Sequence, residues 1–356
     1  MLINWFGSFS QGQGYSGASE KIAIELEKLG YDVRHVGFGK DNRNNRTKAG
    51  KILTSKEFKL AQVGLCFGFP NAFSSLANNK YKIGWTMFET DRLPSGSNSW
   101  CGPTGNASDM INTFTDVLIV PSQHNYHLFR NSGVQKPIKV IHLGVDTDSY
   151  MKMVRPHRDT FTFLMAGVLT IRKNPGAVLS AFLDLFKDNE KVRLVLKTNS
   201  GTLGHFQMPY KNVTIIDRFA TPEEMLGYYR DADAFVFPSK GEGFGLTPLE
   251  AMATGLPTIF ADNTGMSEYA DKEYNYPVPC STMTKATRFP VKWGNVGNWY
   301  EVDYHALRNA MEEVYKQRNL WYEKGLRAAD WVRKEWSYKR TAENLLTVVN
   351  ALVKMK

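Results

Sequence analysis

The chain has 356 residues, 42% hydrophobic and 22% charged, with 44 Lys and Arg against 35 Asp and Glu and a formal net charge of +9 at pH 7. That length suits two domains that each bury a core, and the composition excludes a disordered, collagen-like or disulfide-stapled chain. The positive balance favours an anionic partner such as a nucleotide, a nucleic acid or a membrane surface.

Cys66, Cys101 and Cys280 share no metal or redox spacing, so a reducing compartment is expected. The first residues, MLINWFGSFS, lack a basic flank and a long apolar core, and no stretch reaches transmembrane length. A cytoplasmic location is the expectation; the oligomeric state is not legible.

In chain order, residues 2–6 read as a strand. Gly12, Gly14 and Gly17 follow in G-x-G-x-x-G spacing, ahead of a helix that carries Ile22, Leu26 and Leu29 on one face and ends at Gly30. A dinucleotide site would also need an acid at the end of the second strand, read as Val33 to Phe38. Asp32 precedes that strand and Asp41 lies past it, which argues against NAD. Lys40 to Lys51 carries Lys40, Arg43, Arg46, Lys48 and Lys51 in an Asn-rich setting. It reads as an exposed loop, either a solvated face or a contact for a polyanionic acceptor.

Two strand-like runs, LAQVGLCFGF and YKIGWTMF, lead to Glu89 and Asp91. Both are candidates for acceptor contact or proton acceptance, and Asp91 is equally suited to capping a turn. Residues 95–109, around Trp100, read as a long loop. Val117 to Ser122 (VLIVPS) repeats the pattern of Phe235 to Ser239, which points to two similar Rossmann-like halves. His124 and His127 lack the glutamate of a zinc motif and read as surface or cap residues.

The second half opens with the strand FTFLMAG, followed by VLTIRKNP with Arg172 and Lys173, and then by VRLVLK, which ends on Lys197. Two Asp-x-Asp pairs, Asp146/Asp148 and Asp231/Asp233, fall where carboxylates commonly cap a chain reversal, and no metal is predicted. Residues 235–269 are the most informative. A buried strand, Phe235 to Phe237, runs into the glycine-rich loop Gly241 to Gly245. Thr247, Pro248 and Glu250 then supply the pattern of a helix start, in which Glu250 would close a capping box on Thr247. A second strand around Thr258 to Ala261 precedes a loop with Gly265 and Glu268. Strand, glycine loop, helix start and strand form the layout of an anion-binding crevice. Beyond it, Cys280 to Tyr300 interleaves Lys285, Arg288 and Lys292 with Phe289, Trp293, Trp299 and Tyr300. This segment is either a packed surface insertion or a stacking platform. Amphipathic helices follow from Asp303, the last near Tyr338 to Met355.

Glu242 and Glu250, with seven residues between them, stand in register with Pro238-Ser239, Gly243-Phe244-Gly245, Ala251-Met252-Ala253 and Gly255-Leu256-Pro257. This run resembles the E-x7-E element of the retaining GT-B glycosyltransferases of family 4. The resemblance implies an α/β fold of two Rossmann-like domains facing across a cleft. The N-terminal domain (1–155) would serve the acceptor, the second (156–336) would bind the nucleotide-sugar, and a final helix (337–356) would cross back. It implies transfer of a sugar, UDP-hexose for preference, to a hydroxyl by a metal-independent front-face mechanism, with no cofactor. By that resemblance Glu242 approaches the donor sugar and Glu250 holds the ribose. Arg172, Lys173 and Lys197 stabilise the leaving diphosphate. Gly12, Gly14, Gly17, Gly243, Phe244, Gly245, Leu246, Gly265 and Met266 surround the donor. Many relatives place a histidine where this chain has Glu89 to Asp91, and an arginine where it has Val168. The acceptor is open between a cell-surface glycan or lipid precursor and a hydroxymethylated base in DNA. The reading from another class is a non-catalytic nucleotide- or nucleic-acid-binding protein on the same fold.

Overall fold

The computed structural model describes residues 1–10, 14–38, 46–96, 100–101, 106–156, 158–199, 201, 209–287 and 293–354. The chain divides into two compact units. Unit 1 comprises Met1–Gly144, Lys285–Asn298 and Ser337–Lys356; unit 2 comprises Val145–Thr284 and Trp299–Trp336.

Unit 1 is built on a sheet of β1 (Leu2–Gly7), β2 (Asp32–Val36), β3 (Val63–Phe67), β4 (Tyr81–Trp85), β5 (Val117–Val120) and β6 (Ile138–Val140). Its order is β2-β1-β3-β4-β5-β6, and every pairing is parallel. Four helices of this unit lie between strands: α1 (Gly14–Lys28), α2 (Lys48–Ser55), α3 (Ala107–Phe114) and α4 (Gln123–Asn131). The inner strands β3 and β5 are buried along their whole length, which explains why they lack the alternation of a half-exposed strand.

Unit 2 repeats the plan with β7 (Phe161–Ala166), β8 (Val192–Thr198), β9 (Val213–Asp217), β10 (Ala234–Phe237), β11 (Thr258–Ala261) and β12 (Tyr276–Val278). The order is β12-β11-β10-β7-β8-β9, again all parallel. Its helices are α5 (Pro175–Phe186), α6 (Pro222–Asp231), α7 (Leu246–Ala253), α8 (Tyr304–Lys316) and α9 (Arg318–Glu335). Strand order reverses between β7 and β10. Connections leaving these two strands diverge there and leave a crevice at their carboxyl ends, where ligands of such sheets bind. The segments after β7 and β10 are those that carry Arg172, Lys173 and Glu242.

A short two-stranded sheet pairs β13 (Cys280–Lys285) with β14 (Asn298–Val302). Within unit 1, residues after Lys285 are stitched to the segment following β4. The carbonyl of Trp293 accepts from the N–H groups of Ser95 and Gly96, and the Trp293 ring lies 6.3 Å from that of Phe88. Trp299 is buried as well. Trp293 and Trp299 are thus packed against the fold, while Ser281, Thr282, Met283 and Lys285 of β13 are exposed; Arg288, Phe289 and Lys292 lie outside the described residues.

The last helix, α10 (Tyr338–Lys354), packs on α1 inside unit 1, and Thr341 donates to the carbonyl of His142. Gly144 makes this approach possible, because a Cβ there would sit 2.3 Å from backbone atoms of Ser337 and Tyr338. Backbone cannot rotate aside as a side chain can, so Gly144→Ala should destabilise unit 1 by about 1–3 kcal/mol. Thermal denaturation of the variant checks this, and an unchanged midpoint would contradict the close approach.

Candidate active site

The site of unit 2 grows from three turns at the carboxyl ends of β7, β10 and β11. After β7, Gly167 takes a φ of 137° and Asn174 a left-handed φ of 61° just before α5. Between them Arg172 and Lys173 point to the loop after β10, whose Lys240 N–H donates to the Arg172 carbonyl at 2.8 Å. The Glu242 side chain receives both cations: Arg172 Nη1 and Lys173 Nζ each lie 2.7 Å from Oε1. Ser239, fully buried, donates its hydroxyl to the same oxygen at 2.5 Å. Lys173 also lies over the Phe237 ring, 4.6 Å from its centroid.

The loop after β11 closes the other side. Thr264 Oγ1 accepts from the Glu242 N–H at 2.9 Å and lies 2.9 Å from Asn263 Oδ1, to which it donates. Asn263 Nδ2 donates to the Ser239 carbonyl at 2.9 Å, and the Gly265 N–H donates to the Glu242 carbonyl at 3.1 Å. A Cβ on Gly265 would lie 2.3 Å from the Gly243 carbonyl oxygen, so the two loops touch backbone to backbone. Tyr269 donates its hydroxyl to the Gly245 carbonyl at 2.7 Å.

Gly245, with φ 92°, is the residue that caps α7, and the helix begins at Leu246. This corrects the expected start at Thr247: the left-handed glycine turns the chain two residues earlier and leaves Thr247 inside the first turn. The Glu250 carboxylate is consequently not committed to a capping box and accepts from the Tyr229 hydroxyl at 3.2 Å. The same T-P-x-E pattern at Thr221 to Glu224 does form a capping box, at the start of α6, where no glycine precedes the threonine.

The two glutamates differ electrostatically. Burial works against the charge on Glu242, but Arg172 and Lys173 outweigh it and hold the carboxyl at about 2 against an ordinary 4.5. For Glu250 burial dominates; with the nearby Asp146 adding repulsion against the Tyr229 hydrogen bond and Lys173, it raises the carboxyl to about 8. Near neutral pH one is an anion that only accepts hydrogen bonds, and the other holds a proton.

Other expected residues of unit 2 are placed as follows. The Phe244 and Met266 side chains are core residues, so only their backbone is available to a ligand. Lys197 is buried, and its amine donates to the carbonyls of Thr198, at 2.7 Å, and of Arg218. Burial and then Arg218 lower its pKa. Its contacts join the ends of β8 and β9 and do not reach Glu242. Three of the four Asp-x-Asp carboxylates are engaged: Asp146 accepts from the Ser149 N–H and hydroxyl, Asp231 pairs with Arg158 and Arg230, and Asp233 pairs with Arg318. Among the described residues no cluster of three metal-ligating side chains occurs.

In unit 1, Gly14 opens α1 and Gly17 sits in its first turn, where a Cβ would meet the Ser10 carbonyl at 3.3 Å; Gly12 lies outside the described residues. Tyr15 donates to the Gly68 carbonyl at 3.1 Å, and its burial raises its pKa against the hydrogen bond with Thr86. Glu89 is half-buried. Asp91 ties the segment after β4 to the start of β14, with Oδ1 and Oδ2 accepting from the Asn298 backbone and side-chain N–H groups at 2.6 and 3.0 Å. Arg46 is buried against the Thr54 hydroxyl, which removes it from the exposed basic loop, while Lys48 and Lys51 are exposed and Lys40 and Arg43 lie outside the described residues. His124 contacts the Thr90 carbonyl, and the His127 ring packs against Tyr126. Ser239, Tyr229, Asn263 and Thr264 were not singled out from sequence. Only Ser239 had a signal, its place in the Pro-Ser-x-x-Glu spacing.

Because the folded pKa of Glu242 is depressed, its stabilising effect is complete above 4.5 and drains as pH falls towards 2. That effect is on the order of 3 kcal/mol. Glu250 has the opposite sign: its raised folded pKa makes ionisation costly, so its stability is present below 4.5 and is lost as pH rises through about 8. Glu250→Gln should therefore gain thermal stability relative to the parent as pH rises from about 5 to 8. A constant offset across that range would contradict the raised value.

Residues 146–283 match the sequence family described as Glycosyl transferases group 1. Alpha-monoglucosyldiacylglycerol synthase of Streptococcus pneumoniae is 36% identical over 107 residues, 29% of this chain and 24% of that protein. Serotype-specific mannosyltransferase WbdA of Escherichia coli is 43% identical over 170 residues, 43% of this chain and 21% of that protein. The chain thus aligns with about a quarter or less of the length of these curated relatives. Sucrose-phosphate synthase from Thermosynechococcus elongatus superposes with a TM-score of 0.73 at 16% identity, covering 100% of both chains. Anabaena HepE, solved in complex with UDP and glucose, gives 0.67 at 14% identity, covering 99% of this chain and 100% of that one. At such identities the likeness establishes the fold alone: the chain has the GT-B fold, and its residues 146–283 match the glycosyl transferases group 1 family.

Proposed function

We propose that this protein transfers a hexose from a nucleotide-sugar, UDP-hexose in the first instance, to a hydroxyl acceptor with retention at the anomeric carbon and without a metal or other cofactor. The observation that carries the proposal is the meeting of Arg172, Lys173 and Glu242 at the strand-order reversal of unit 2, beside the start of α7. Breaking a glycosyl–phosphate bond develops negative charge on the departing diphosphate. Arg172, Lys173 and the first N–H groups of α7 are oriented positive groups suited to that charge. Glu242 orients sugar hydroxyls as an acceptor of hydrogen bonds. A double displacement would ask it to act as a nucleophile. Its depressed pKa, the Lys173 and Ser239 donors on Oε1 and the Arg172 charge beside it make it a weak one, which favours the front-face route in which the leaving diphosphate takes the acceptor proton. Glu250 holds the ribose hydroxyls. Glu89 is the acceptor-side group of unit 1, since the Asp91 carboxylate is taken up by Asn298.

The relatives found include ones named for a glucosyldiacylglycerol, for the lipopolysaccharide core and for D-inositol 3-phosphate. The acceptor proposed first is accordingly a glycan or lipid precursor. The net charge of +9 supports a second reading, a hydroxymethylated base in DNA. The protein would be incubated with UDP- and GDP-sugars together with DNA containing 5-hydroxymethylcytosine, and the digested nucleosides weighed. A sugar adduct identifies DNA as the acceptor; nucleotide release without an adduct directs the search to glycans and lipids. No nucleotide release with any donor or acceptor overturns the transferase reading. Lys173→Ala and Glu242→Ala should each lower donor turnover by about 10²-fold or more. Retained turnover in both would remove these residues from the chemistry.

A further inference from the structure

Only two described residues other than glycine have a left-handed backbone, Asn174 at φ 61° and Thr264 at φ 49°. Asparagine visits this region readily, whereas a β-branched residue there is an outlier that persists only when its surroundings impose it. Both residues lie in turns that carry partners of Glu242: Asn174 follows Lys173, and Thr264 bonds the Glu242 backbone. Asn174 also opens α5, a common place for asparagine. Thr264 has no such local reason, and a glycine would adopt its φ without strain.

What the threonine adds is its hydroxyl. That oxygen accepts from the Glu242 N–H and donates to Asn263 Oδ1, while Asn263 Nδ2 holds the Ser239 carbonyl and Ser239 Oγ holds Glu242 Oε1. The circuit is closed, running from the Glu242 backbone through the β11 loop and back to the Glu242 carboxylate. Fixing the backbone N–H and the carboxylate of one residue from two sides restricts its rotamers more than either bond alone, and buried networks of this kind reward completeness.

We infer that Thr264 is a positioning residue, kept in a strained conformation because its hydroxyl sets the Glu242 backbone and, through Asn263 and Ser239, the direction of the carboxylate. The inference rests on the proposed role of Glu242 towards the donor sugar, but its first readout does not. Thr264→Gly removes the strain together with the hydroxyl, and Thr264→Ser keeps the hydroxyl. The Gly variant should fold with a thermal midpoint close to the parent, because relief of strain offsets the lost bonds. Hydrogen exchange followed by mass spectrometry should then show faster exchange at the Glu242 amide in the Gly variant and parental protection in the Ser variant. If donor turnover is measurable, the Gly variant should lose kcat by about 10- to 100-fold with little change in KM, and the Ser variant should retain it. A Gly variant that fails to fold, that keeps parental protection at Glu242, or that keeps parental kcat overturns the inference. If the parent itself turns over no donor, the functional reading fails, and the exchange measurement still decides the role of Thr264.

Discussion

A carboxylate taken out of water is costly unless opposite charge and hydrogen bonds replace its hydration, and much of unit 2 follows from satisfying Glu242. Its oxygen takes two cations from the segment after β7 and a hydroxyl from the segment after β10. Its backbone is tied to the loop after β11. These three segments come together because β7, β10 and β11 are neighbours in the sheet, with the reversal of order between the first two. The short, sharply turned connections demand positive φ at Gly167, Asn174, Gly245 and Thr264. A functional arrangement of charge thereby dictates local backbone geometry, and the sheet makes it reachable.

Much of this was legible from sequence, for reasons that particular residues make plain. Parallel strands buried on both faces leave unbroken apolar runs such as FVFP and VLIVPS, so the two Rossmann-like halves were visible, and the run from Glu242 to Pro257 placed the loop. Lys173 was legible only through its matched frame just before α5, since its partner Glu242 lies 69 positions away. A lysine at a strand end such as Lys197 reads the same whether it meets a ligand or, as in this fold, the carbonyls of Thr198 in its own strand and of Arg218 beyond the adjoining one.

The pair of T-P-x-E sequences marks a limit of local pattern. Thr221 caps α6 and Thr247 does not cap α7, although their flanking residues are chemically alike. The difference lies in Gly245, whose left-handed turn starts the helix early and frees Glu250 for Tyr229. Tyr229 and Thr264 were invisible for a related reason. Each acts on a residue 21 or 22 positions away, and no local spacing signals such a partner.

The backbone contact between Gly243 and Gly265 has a consequence for how this site can vary. With no side chain between them and a hydrogen bond from Gly265 to Glu242, the loops after β10 and β11 behave as one mechanical part made from two distant pieces of chain. A loop graft from a relative that replaces one piece alone would bring a new surface against an unchanged partner with no space to absorb the difference. Residues 238–245 and 263–269 therefore form a single unit of inheritance and of engineering, to be exchanged together or left alone.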